Sequence, residues 1–209
     1  MIAVIDYGAG NLRSVVNALG RLGCQPKVTG SPEEVMSARA VILPGVGAAA
    51  DTMASLEKQG LVGPLRSFIA SGRPFFGVCI GLQVLFDGTE EGGGQECLGI
   101  VPGRVRRLPD GLKVPHMGWN QVRQKAAHPV FNGIPDGADC YFVHSYYAEP
   151  ADRSLVIGET EYGVAMCSVL ARDNLVATQF HPEKSGEEGI RMYGNFLRFA
   201  LGGDSETRV

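Results

Sequence analysis

The chain has 209 residues, of which 44% are hydrophobic and 20% are charged, and its formal net charge is −3. These values exclude a disordered chain, which combines low hydrophobicity with high net charge, and the length favours one large domain. Positive and negative residues are mixed along the chain without the basic stripe of nucleic-acid-binding or membrane-surface proteins, so we expect neither kind of partner.

The first half of the chain alternates short apolar strands with helices. Strands are predicted at residues 2–6, 26–29, 40–43 and 75–78, and helices at 12–22, 48–59, 61–71 and 80–86. A further helix begins after Ser31, because Ser31, Pro32 and Glu34 are the residue types preferred at the N-cap and in the first turn. Short buried strands between helices predict a parallel sheet that is covered on both faces.

The second half consists mainly of strands, which are predicted at 101–108, 121–123, 141–147, 155–159, 164–170 and 175–179. A hairpin turn is predicted at 172–174, and a last helix from Ser185 to about Leu201 begins with a capping box of Ser185 and Glu188. The predicted fold class is therefore α/β, with an open, mostly parallel central sheet, helices on both faces and additional antiparallel strands in the C-terminal half. We expect residues 1–202 to form one domain and residues 203–209 to form a flexible tail.

The cysteines and the hydropathy pattern indicate the compartment. The five cysteines are widely spaced and none forms a CxxC pair, so neither a zinc ribbon nor a disulfide framework is expected. No stretch reaches the ~18 apolar residues of a membrane span, and the N-terminus lacks the features of a signal peptide. Gly8 and Gly10 follow the first strand, but Arg13 replaces the third glycine of a dinucleotide fingerprint. We expect a cytoplasmic protein with reduced thiols and without a metal or a cofactor.

Cys79 lies in the sequence pattern of a nucleophile elbow. It stands between a predicted strand and a predicted helix, with Gly77 and Gly81 two residues away on either side. A nucleophile on so tight a turn has a strained backbone, and larger side chains at the flanking positions would collide with the strand and the helix. The helix N-terminus stabilises a thiolate and offers N–H groups to an oxyanion. The alternative is a buried structural cysteine, which is our interpretation of the other four.

The candidate base for this thiol is His181. A thiol nucleophile needs a histidine base, and the histidine needs an acceptor that orients it. His181 directly follows a predicted strand, and Pro182 keeps it in a loop at the carboxyl end of the sheet, where sites of open α/β folds gather. Glu183 can reach the imidazole. The leading candidate triad is Cys79, His181 and Glu183, although a surface turn can have the same His-Pro-Glu sequence.

Two further segments suit an acyl-transfer site. The loop Pro44-Gly45-Val46-Gly47 follows a neighbouring strand and can present backbone N–H groups to an oxyanion, although an ordinary turn has the same composition. Gln83 lies one helical turn after Cys79 and faces the same pocket edge, either as a substrate contact or as a surface glutamine.

Three motifs together resemble the class I, triad-type glutamine amidotransferase family: 44–47 (P-G-V-G), 77–83 (G-V-C-I-G-L-Q) and 181–183 (H-P-E). They occur in the family's order, and the resemblance covers essentially the whole chain. Within this family, further segments resemble the glutaminase subunits of imidazole glycerol phosphate synthase: 6–11 (D-Y-G-A-G-N), 116–120 (H-M-G-W-N), 141–146 (Y-F-V-H-S-Y) and Lys184.

The resemblance implies a role for each matching residue. Cys79 attacks the carboxamide carbon of glutamine and forms a γ-glutamyl thioester and ammonia, His181 transfers the proton, and Glu183 orients His181. The loop at 44–47 supplies the oxyanion donor through Val46 or Gly47 after a peptide rearrangement. The residues that hold the amino-acid end of the substrate are Gly47, Gln83 and the backbone of His144, Ser145 and Tyr146.

The resemblance also implies a partner. In this family ammonia passes to a (β/α)8-barrel cyclase subunit, which makes imidazole glycerol phosphate and AICAR in histidine biosynthesis, so a heterodimer is expected. The positions that match the contact surface are Asn11, Trp119, Asn120, Tyr141 and Lys184. Trp119 suits an interface anchor, with a buried core indole as the alternative. The alternative functions are the glutaminase of another ammonia-using synthase and a non-catalytic regulatory module on the same fold.

Overall fold

The computed structural model describes residues 1–8 and 11–202, so Ala9, Gly10 and the predicted tail at 203–209 lie outside the described residues. The helices are α1 (Leu12–Arg21), α2 (Pro32–Ser37), α3 (Ala49–Lys58), α4 (Val62–Ala70), α5 (Ile80–Gln83) and α6 (Gly186–Leu201). The strands are β1 (Ile2–Ile5), β2 (Lys27–Thr29), β3 (Ala40–Leu43), β4 (Phe75–Val78), β5 (Phe86–Thr89), β6 (Gln95–Glu96), β7 (Val101–Arg107), β8 (His116–Gln124), β9 (Ala138–His144), β10 (Tyr146–Pro150), β11 (Val156–Glu161), β12 (Ala165–Arg172) and β13 (Leu175–Thr178). Short 3-10 helices lie at Glu91–Gly93, Pro129–Phe131, Arg153–Leu155 and Pro182–Lys184.

The sheet has a parallel centre and an antiparallel extension. Strands β2, β1, β3, β4 and β13 are neighbours in that order, and each pair is parallel. Strand β12 pairs antiparallel with β13 and continues the sheet through β10, β7, β5 and β6. A branch from β12 runs through β11 to β8 and β9, antiparallel at each step. The predicted fold class is confirmed, including the antiparallel strands of the C-terminal half.

Helices cover both faces of the parallel centre. Along β1 the side chains alternate: Ala3 and Ile5 pack with the buried residues of α2, α3 and α4, whereas Ile2 and Val4 pack with those of α1 and α6. All four residues of β1 are buried, because a sheet that is covered on both faces needs apolar residues at every position. Within the described part of the chain, no helix has the length and apolar composition that crossing a bilayer requires.

The register of the parallel strands brings three loops to one edge of the sheet. Leu43 at the end of β3 is opposite Gly77 on β4, and Thr178 at the end of β13 is opposite Val78 on β4. The segments that follow β3, β4 and β13 therefore lie side by side at the carboxyl ends of the strands, where ligands bind in open α/β sheets. These segments contain the three motifs on which the sequence analysis depends.

Some predicted elements differ in extent from the observed ones. The predicted helix at 80–86 ends at Gln83, because the buried Phe86 begins β5 and pairs with Val101 of β7. The predicted strand at 121–123 is only part of the nine-residue β8. The predicted strand at 141–147 is divided at Ser145 into β9, which pairs with β8, and β10, which pairs with β7 and β12.

The predicted capping box of α6 is wrong. The side chain of Ser185 makes no capping hydrogen bond. Its Oγ instead donates to the carbonyl oxygen of His181 at 2.7 Å and accepts from the N–H of Tyr141 at 3.0 Å. Ser185 therefore ties the loop after β13 to β9. Ser31, by contrast, caps α2 as predicted and accepts from the N–H of Glu34 at 3.3 Å.

Replacing Gly81 by alanine is expected to destabilise the fold. A Cβ atom at this position would overlap the backbone carbonyl oxygen of Leu43, which cannot move without disturbing β3. Overpacking of this kind costs ~1–3 kcal/mol, which denaturant unfolding of the Gly81→Ala variant measures. Gly63→Ala in α4 is the control, because its added Cβ meets no atom within 4 Å. Equal free energies of unfolding for the two variants would contradict the close approach.

Candidate active site

Cys79 occupies a sharp turn between β4 and α5. Its backbone has φ 54° and ψ −103°, a conformation that side-chain-bearing residues rarely adopt. The N–H of Cys79 donates to the carbonyl oxygen of Thr178 at 2.7 Å, which fixes the turn to the end of β13. A Cβ at Gly77 would lie 2.6 Å from the carbonyl oxygen of Gly81, so the glycines on both sides of Cys79 are sterically required. Strain of this kind at a turn is typical of functional positions.

His181 lies in the loop after β13 and is held in one orientation. Its Nδ1 donates to Glu183 Oε1 at 2.9 Å, and both side chains are only 1% exposed. The hydroxyl of Tyr193 donates to Glu183 Oε2 at 3.4 Å, and burial raises the pKa of Tyr193, so this donor stays protonated. Because Nδ1 keeps its proton in the hydrogen bond to Glu183, Nε2 is the ring nitrogen that can donate or accept a proton in a reaction. Among the described residues, this buried Nε2 has no hydrogen-bond partner.

The pKa of His181 reflects opposing effects. Burial lowers it, because removal from water disfavours the charged imidazolium. Interactions with Cys79 and Glu183 outweigh burial and raise the pKa to about 9. His181 therefore favours the protonated form at neutral pH, and in this form Nε2 can donate a proton.

The sulfur atom of Cys79 has two weak polar contacts. Gln179 Nε2 lies 3.7 Å from Cys79 Sγ, and the carbonyl oxygen of Val143 lies 3.9 Å from it. Gln179 is fully buried, and its side-chain amide is the donor in the first of these contacts. Sequence reasoning missed Gln179, although its position two residues before His181 was a signal that could have identified it.

Cys79 and His181 line one cavity of about 390 Å³. Most of the residues proposed from sequence to bind an oxyanion or a substrate lie on the same wall; the lining residues are Val46, Gly47, Cys79, Ile80, Gln83, Glu91, Pro115, Val143, His144, Ser145, Tyr146, His181 and Lys184. Gly45 and Glu183 do not line the cavity. Gly45 lies behind the wall, where a Cβ would overlap the Ile80 side chain, and Glu183 lies behind His181.

Gln83 is a buried wall residue and not a surface glutamine. Its Nε2 donates to the carbonyl oxygen of Tyr146 at 2.9 Å and to Gln179 Oε1 at 3.1 Å. Because these bonds use the donors of the amide, the group that Gln83 can offer to a ligand is Oε1. Glu91, which sequence reasoning missed, is the carboxylate on the cavity wall, and its Oε2 accepts from the N–H of Ala49 at 2.6 Å.

The residues expected at a partner interface are only partly together. Trp119 is 58% exposed, so the alternative of a core indole is excluded. Its ring centroid lies 5.9 Å from that of Tyr141, and Lys184 Nζ lies 5.9 Å from the Tyr141 ring. With Met117, which is 61% exposed, these residues form what we call the Trp119 patch: Met117, Trp119, Tyr141 and Lys184. The patch borders the cavity, because Lys184 belongs to both.

Two expected interface residues make internal contacts. Asn120 is half-buried, and its Nδ2 donates to the carbonyl oxygen of Glu161 at 3.1 Å. Asn11 stands at the start of α1, where its Oδ1 accepts from Ser14 Oγ at 2.7 Å. In the described ranges 1–8 and 11–202, no cluster of three or more His, Cys, Asp or Glu residues could hold a metal ion.

Comparison with known proteins places this site in a family. Residues 3–199 match the family model described as glutamine amidotransferase class-I. The chain belongs to this family. It is 57% identical over 202 residues to the imidazole glycerol phosphate synthase subunit HisH of Dehalococcoides mccartyi, covering 97% of this chain and 98% of that one. It is 53% identical over 204 residues to the protein of the same name from Chloroflexus aurantiacus, covering 96% of each.

Solved structures show the same fold at lower identity. A crystal structure of a glutamine amidotransferase has a TM-score of 0.76 at 21% identity and covers 96% of this chain and 100% of its own. The structure of PurLQS from Thermotoga maritima has a TM-score of 0.75 at 17% identity and covers 95% and 97%. These likenesses concern the arrangement of helices and strands.

Replacing Glu183 by glutamine is expected to lower the pKa of His181 from its value of about 9, because an amide stabilises an imidazolium less than a carboxylate does. NMR titration of the His181 imidazole measures this change.

The same substitution, Glu183→Gln, alters the pH dependence of the free energy of unfolding. The pKa of His181 is raised above the ~6.5 of an unfolded chain, so its protonation stabilises the fold fully below that pH. This contribution is lost as pH rises through about 9, and the variant should lose the part of this dependence that Glu183 supplies, while the interaction with Cys79 remains.

Glu57→Gln is a suitable control for this prediction. Glu57 is an exposed carboxylate on α3, outside the cavity lining and without contact to His181. Its replacement should leave the titration of His181 unchanged. A wild-type titration curve for His181 in Glu183→Gln would show that the carboxylate does not set the pKa.

Proposed function

We propose that the chain is the glutaminase subunit of an imidazole glycerol phosphate synthase. The observation that carries this proposal is the buried cluster of Cys79, His181 and Glu183 at one cavity, in a chain of the class I glutamine amidotransferase family. Relatives at 57% and 53% identity have that subunit's name. The chain hydrolyses glutamine to glutamate and ammonia and works in the cytoplasm, where its cysteines remain reduced thiols.

The first half-reaction is an attack by Cys79. Its thiolate sulfur forms a bond to the carboxamide carbon of glutamine, and the electron pair of the C=O bond moves to oxygen. When this tetrahedral oxyanion collapses, the C–N bond breaks and the nitrogen takes a proton from His181 Nε2. The products are ammonia and a γ-glutamyl thioester on Cys79. The protonated state of His181, favoured by Glu183, is the state that this step consumes.

The second half-reaction releases glutamate. A water molecule attacks the thioester carbon while His181 Nε2, now neutral, takes a proton from it. Collapse of the second oxyanion breaks the C–S bond and returns the thiolate. Glu183 keeps the proton on Nδ1 in both halves, so Nε2 acts alternately as acid and as base.

The oxyanion of both steps requires a hydrogen-bond donor from the loop at 44–47. Gly47 has φ +103°, which glycine adopts without strain, and an added Cβ would meet no atom within 4 Å. Val46 and Gly47 both line the cavity beside Cys79. A backbone N–H from the peptide between Val46 and Gly47, after a rearrangement of this peptide, is therefore the proposed donor, and removing such a donor typically costs ~2.7–4 kcal/mol of transition-state stabilisation.

The amino-acid end of glutamine binds to other residues of the cavity wall. Gln83 Oε1 accepts from the α-ammonium group, which the carboxylate of Glu91 also attracts. The backbone groups of His144, Ser145 and Tyr146, between β9 and β10, bind the same end of the substrate. This arrangement leaves the carboxamide at Cys79.

The ammonia needs a second protein. We propose a heterodimer with a (β/α)8-barrel cyclase subunit, which uses ammonia to make imidazole glycerol phosphate and AICAR in histidine biosynthesis. The Trp119 patch supports this interface, because an exposed indole next to Met117, Tyr141 and Lys184 is typical of a binding hot spot. Asn11 and Asn120 belong to the proposed contact surface, although their side chains also make internal hydrogen bonds.

Replacing Cys79 by alanine is expected to abolish glutamine-dependent turnover, with a loss of at least ~10³-fold, because Cys79 carries the only thiol among the described residues that line the cavity. The complex with the cyclase should still form its product from added ammonium, because the cyclase reaction does not use the thiol of Cys79. Cys24→Ala is the control, because Cys24 is a half-buried cysteine outside the cavity. Glutamine hydrolysis that persists in Cys79→Ala would refute the assignment of the nucleophile.

Replacing Trp119 by alanine is expected to weaken binding of the cyclase subunit by ~30-fold or more, as loss of a hot-spot tryptophan usually does. Glutaminase activity of the isolated chain should be very low and should rise when the cyclase and its nucleotide ligand are added. The Trp119→Ala variant should need a higher concentration of the cyclase for the same increase in glutaminase activity. Met36→Ala on α2 removes another large exposed apolar side chain, which is 39% exposed, and should change neither quantity. High activity of the isolated chain would contradict activation by the partner.

A further inference from the structure

A line of polar side chains, which the mechanism above does not use, runs from strand β8 to a backbone carbonyl on the cavity wall. Asn120 Nδ2 lies 3.2 Å from His116 Nε2, and His116 Nδ1 lies 3.0 Å from His144 Nε2. His144 Nδ1 lies 2.8 Å from the carbonyl oxygen of Tyr146. Both imidazole rings are buried, with exposures of 4% and 6%.

The direction of each hydrogen bond follows from the chemistry of the groups. The carbonyl oxygen of Tyr146 can only accept, so His144 carries its proton on Nδ1 and its Nε2 must accept. His116 therefore carries its proton on Nδ1 and accepts at Nε2 from Asn120. Burial lowers the pKa of His116 to about 4 and that of His144 to about 3, so both rings are neutral near pH 7.

The orientation of the first donor is fixed independently. Asn120 Nδ2 also donates to the carbonyl oxygen of Glu161 at 3.1 Å, and its Oδ1 accepts from the N–H of Gln121 at 2.8 Å. If the amide were flipped, Oδ1 would face the carbonyl oxygen of Glu161 and Nδ2 would face the N–H of Gln121, so both hydrogen bonds would be lost. In every hydrogen bond of the line, the donor therefore lies on the β8 side and the acceptor on the cavity side.

The line ends at a carbonyl that also organises the substrate wall. The carbonyl oxygen of Tyr146 accepts from Gln83 Nε2 at 2.9 Å, in addition to its bond from His144. Gln83 Nε2 in turn donates to Gln179 Oε1 at 3.1 Å, and Gln179 Nε2 lies 3.7 Å from Cys79 Sγ. His144 thus holds the Tyr146 carbonyl in position, and this carbonyl in turn holds the side-chain amide of Gln83.

Packing alone does not account for the ring nitrogens of His116. The ring lies between Phe142 and Tyr162, with ring centroids 4.9 Å and 3.9 Å away, and both pairs are stacked. A phenylalanine would fill this space without the cost of burying two polar nitrogens. The nitrogens are therefore best explained by the hydrogen bonds that they make.

We propose that His116 and His144 are positioning residues for glutamine binding: they hold the Tyr146 carbonyl, and through it Gln83, where the amino-acid end of the substrate binds. This inference rests on the proposed glutaminase function, which supplies the identity of the ligand. The two rings do not touch the reacting atoms. Their loss should therefore affect the KM for glutamine more than kcat.

Two substitutions of His116 separate positioning from packing. His116→Phe keeps an aromatic ring for stacking but removes both nitrogens, whereas His116→Asn keeps an N–H donor near the Nδ1 position but removes the ring. If the hydrogen bonds matter, KM for glutamine rises about tenfold in His116→Phe and less in His116→Asn, with kcat within about threefold of wild type in both. If the ring only packs, the order is reversed and His116→Phe has the wild-type KM, which overturns the proposal.

The measurements use the full chain in complex with its co-purified barrel subunit, with melting temperatures to verify folding. His128→Phe is the control: His128 accepts from the N–H of Val130 at 3.2 Å outside the cavity, so its KM should match wild type. A second readout needs no turnover, because ¹⁵N NMR of the imidazoles of wild-type chain near pH 7 reports their tautomers. Both His116 and His144 should be neutral with the proton on Nδ1, and any other tautomer at either ring overturns the proposal. A wild-type complex without glutaminase activity would refute the proposed function, while the tautomers would still test the hydrogen-bond line.

Discussion

The alignment of β4 with β13 is the constraint on which the site depends. The two strands are parallel and in register to their last residues, and the N–H of Cys79 continues the pairing to the carbonyl oxygen of Thr178 at 2.7 Å. A slip of one residue would move the loop after β13 by ~3.3 Å and reverse the faces of its side chains. His181 would then no longer lie on the same cavity wall as Cys79. All four residues of each strand are buried, so a slip would also disturb the packing on both faces of the sheet.

Within this frame, nearly all buried polar groups of the site are paired with one another. Glu183 binds His181 and Tyr193, Ser185 holds the His181 backbone against β9, and Gln83 and Gln179 hold each other. These bonds offset the cost of removing charged and polar groups from water. Two reactive atoms are left with weak contacts or none among the described residues: Cys79 Sγ and His181 Nε2. A site whose polar groups are mostly held by one another, while its reacting atoms stay available, is preorganised for the reaction.

Sequence reasoning predicted most features that are set by neighbouring residues, and it failed for several that depend on distant pairing. The alternation of strands and helices up to β4, the Ser31 cap and the glycines around Cys79 are each determined by neighbouring residues, and all were predicted. The division of the predicted strand at Ser145 was not, because β9 and β10 take partners from different branches of the sheet. For the same reason the roles of Glu91 and of the His116 ring were missed: their partners are 42 and 28 residues away. Periodicity contains no information about such contacts.

The site combines a fixed part with a loop for which we propose a rearrangement. The triad, Gln83 and the Tyr146 carbonyl are held by buried hydrogen bonds, whereas Gly47 has φ +103° and an added Cβ would meet no atom within 4 Å. Rotation of the peptide before Gly47, as proposed above, would not require the nucleophile or the base to move. Because one oxyanion donor is worth ~10²–10³-fold in rate, rotation of a single peptide is enough to switch a glutaminase between slow and fast states. Control at this loop leaves the buried hydrogen bonds of the triad intact, so the cost of switching stays small compared with that of disrupting the core.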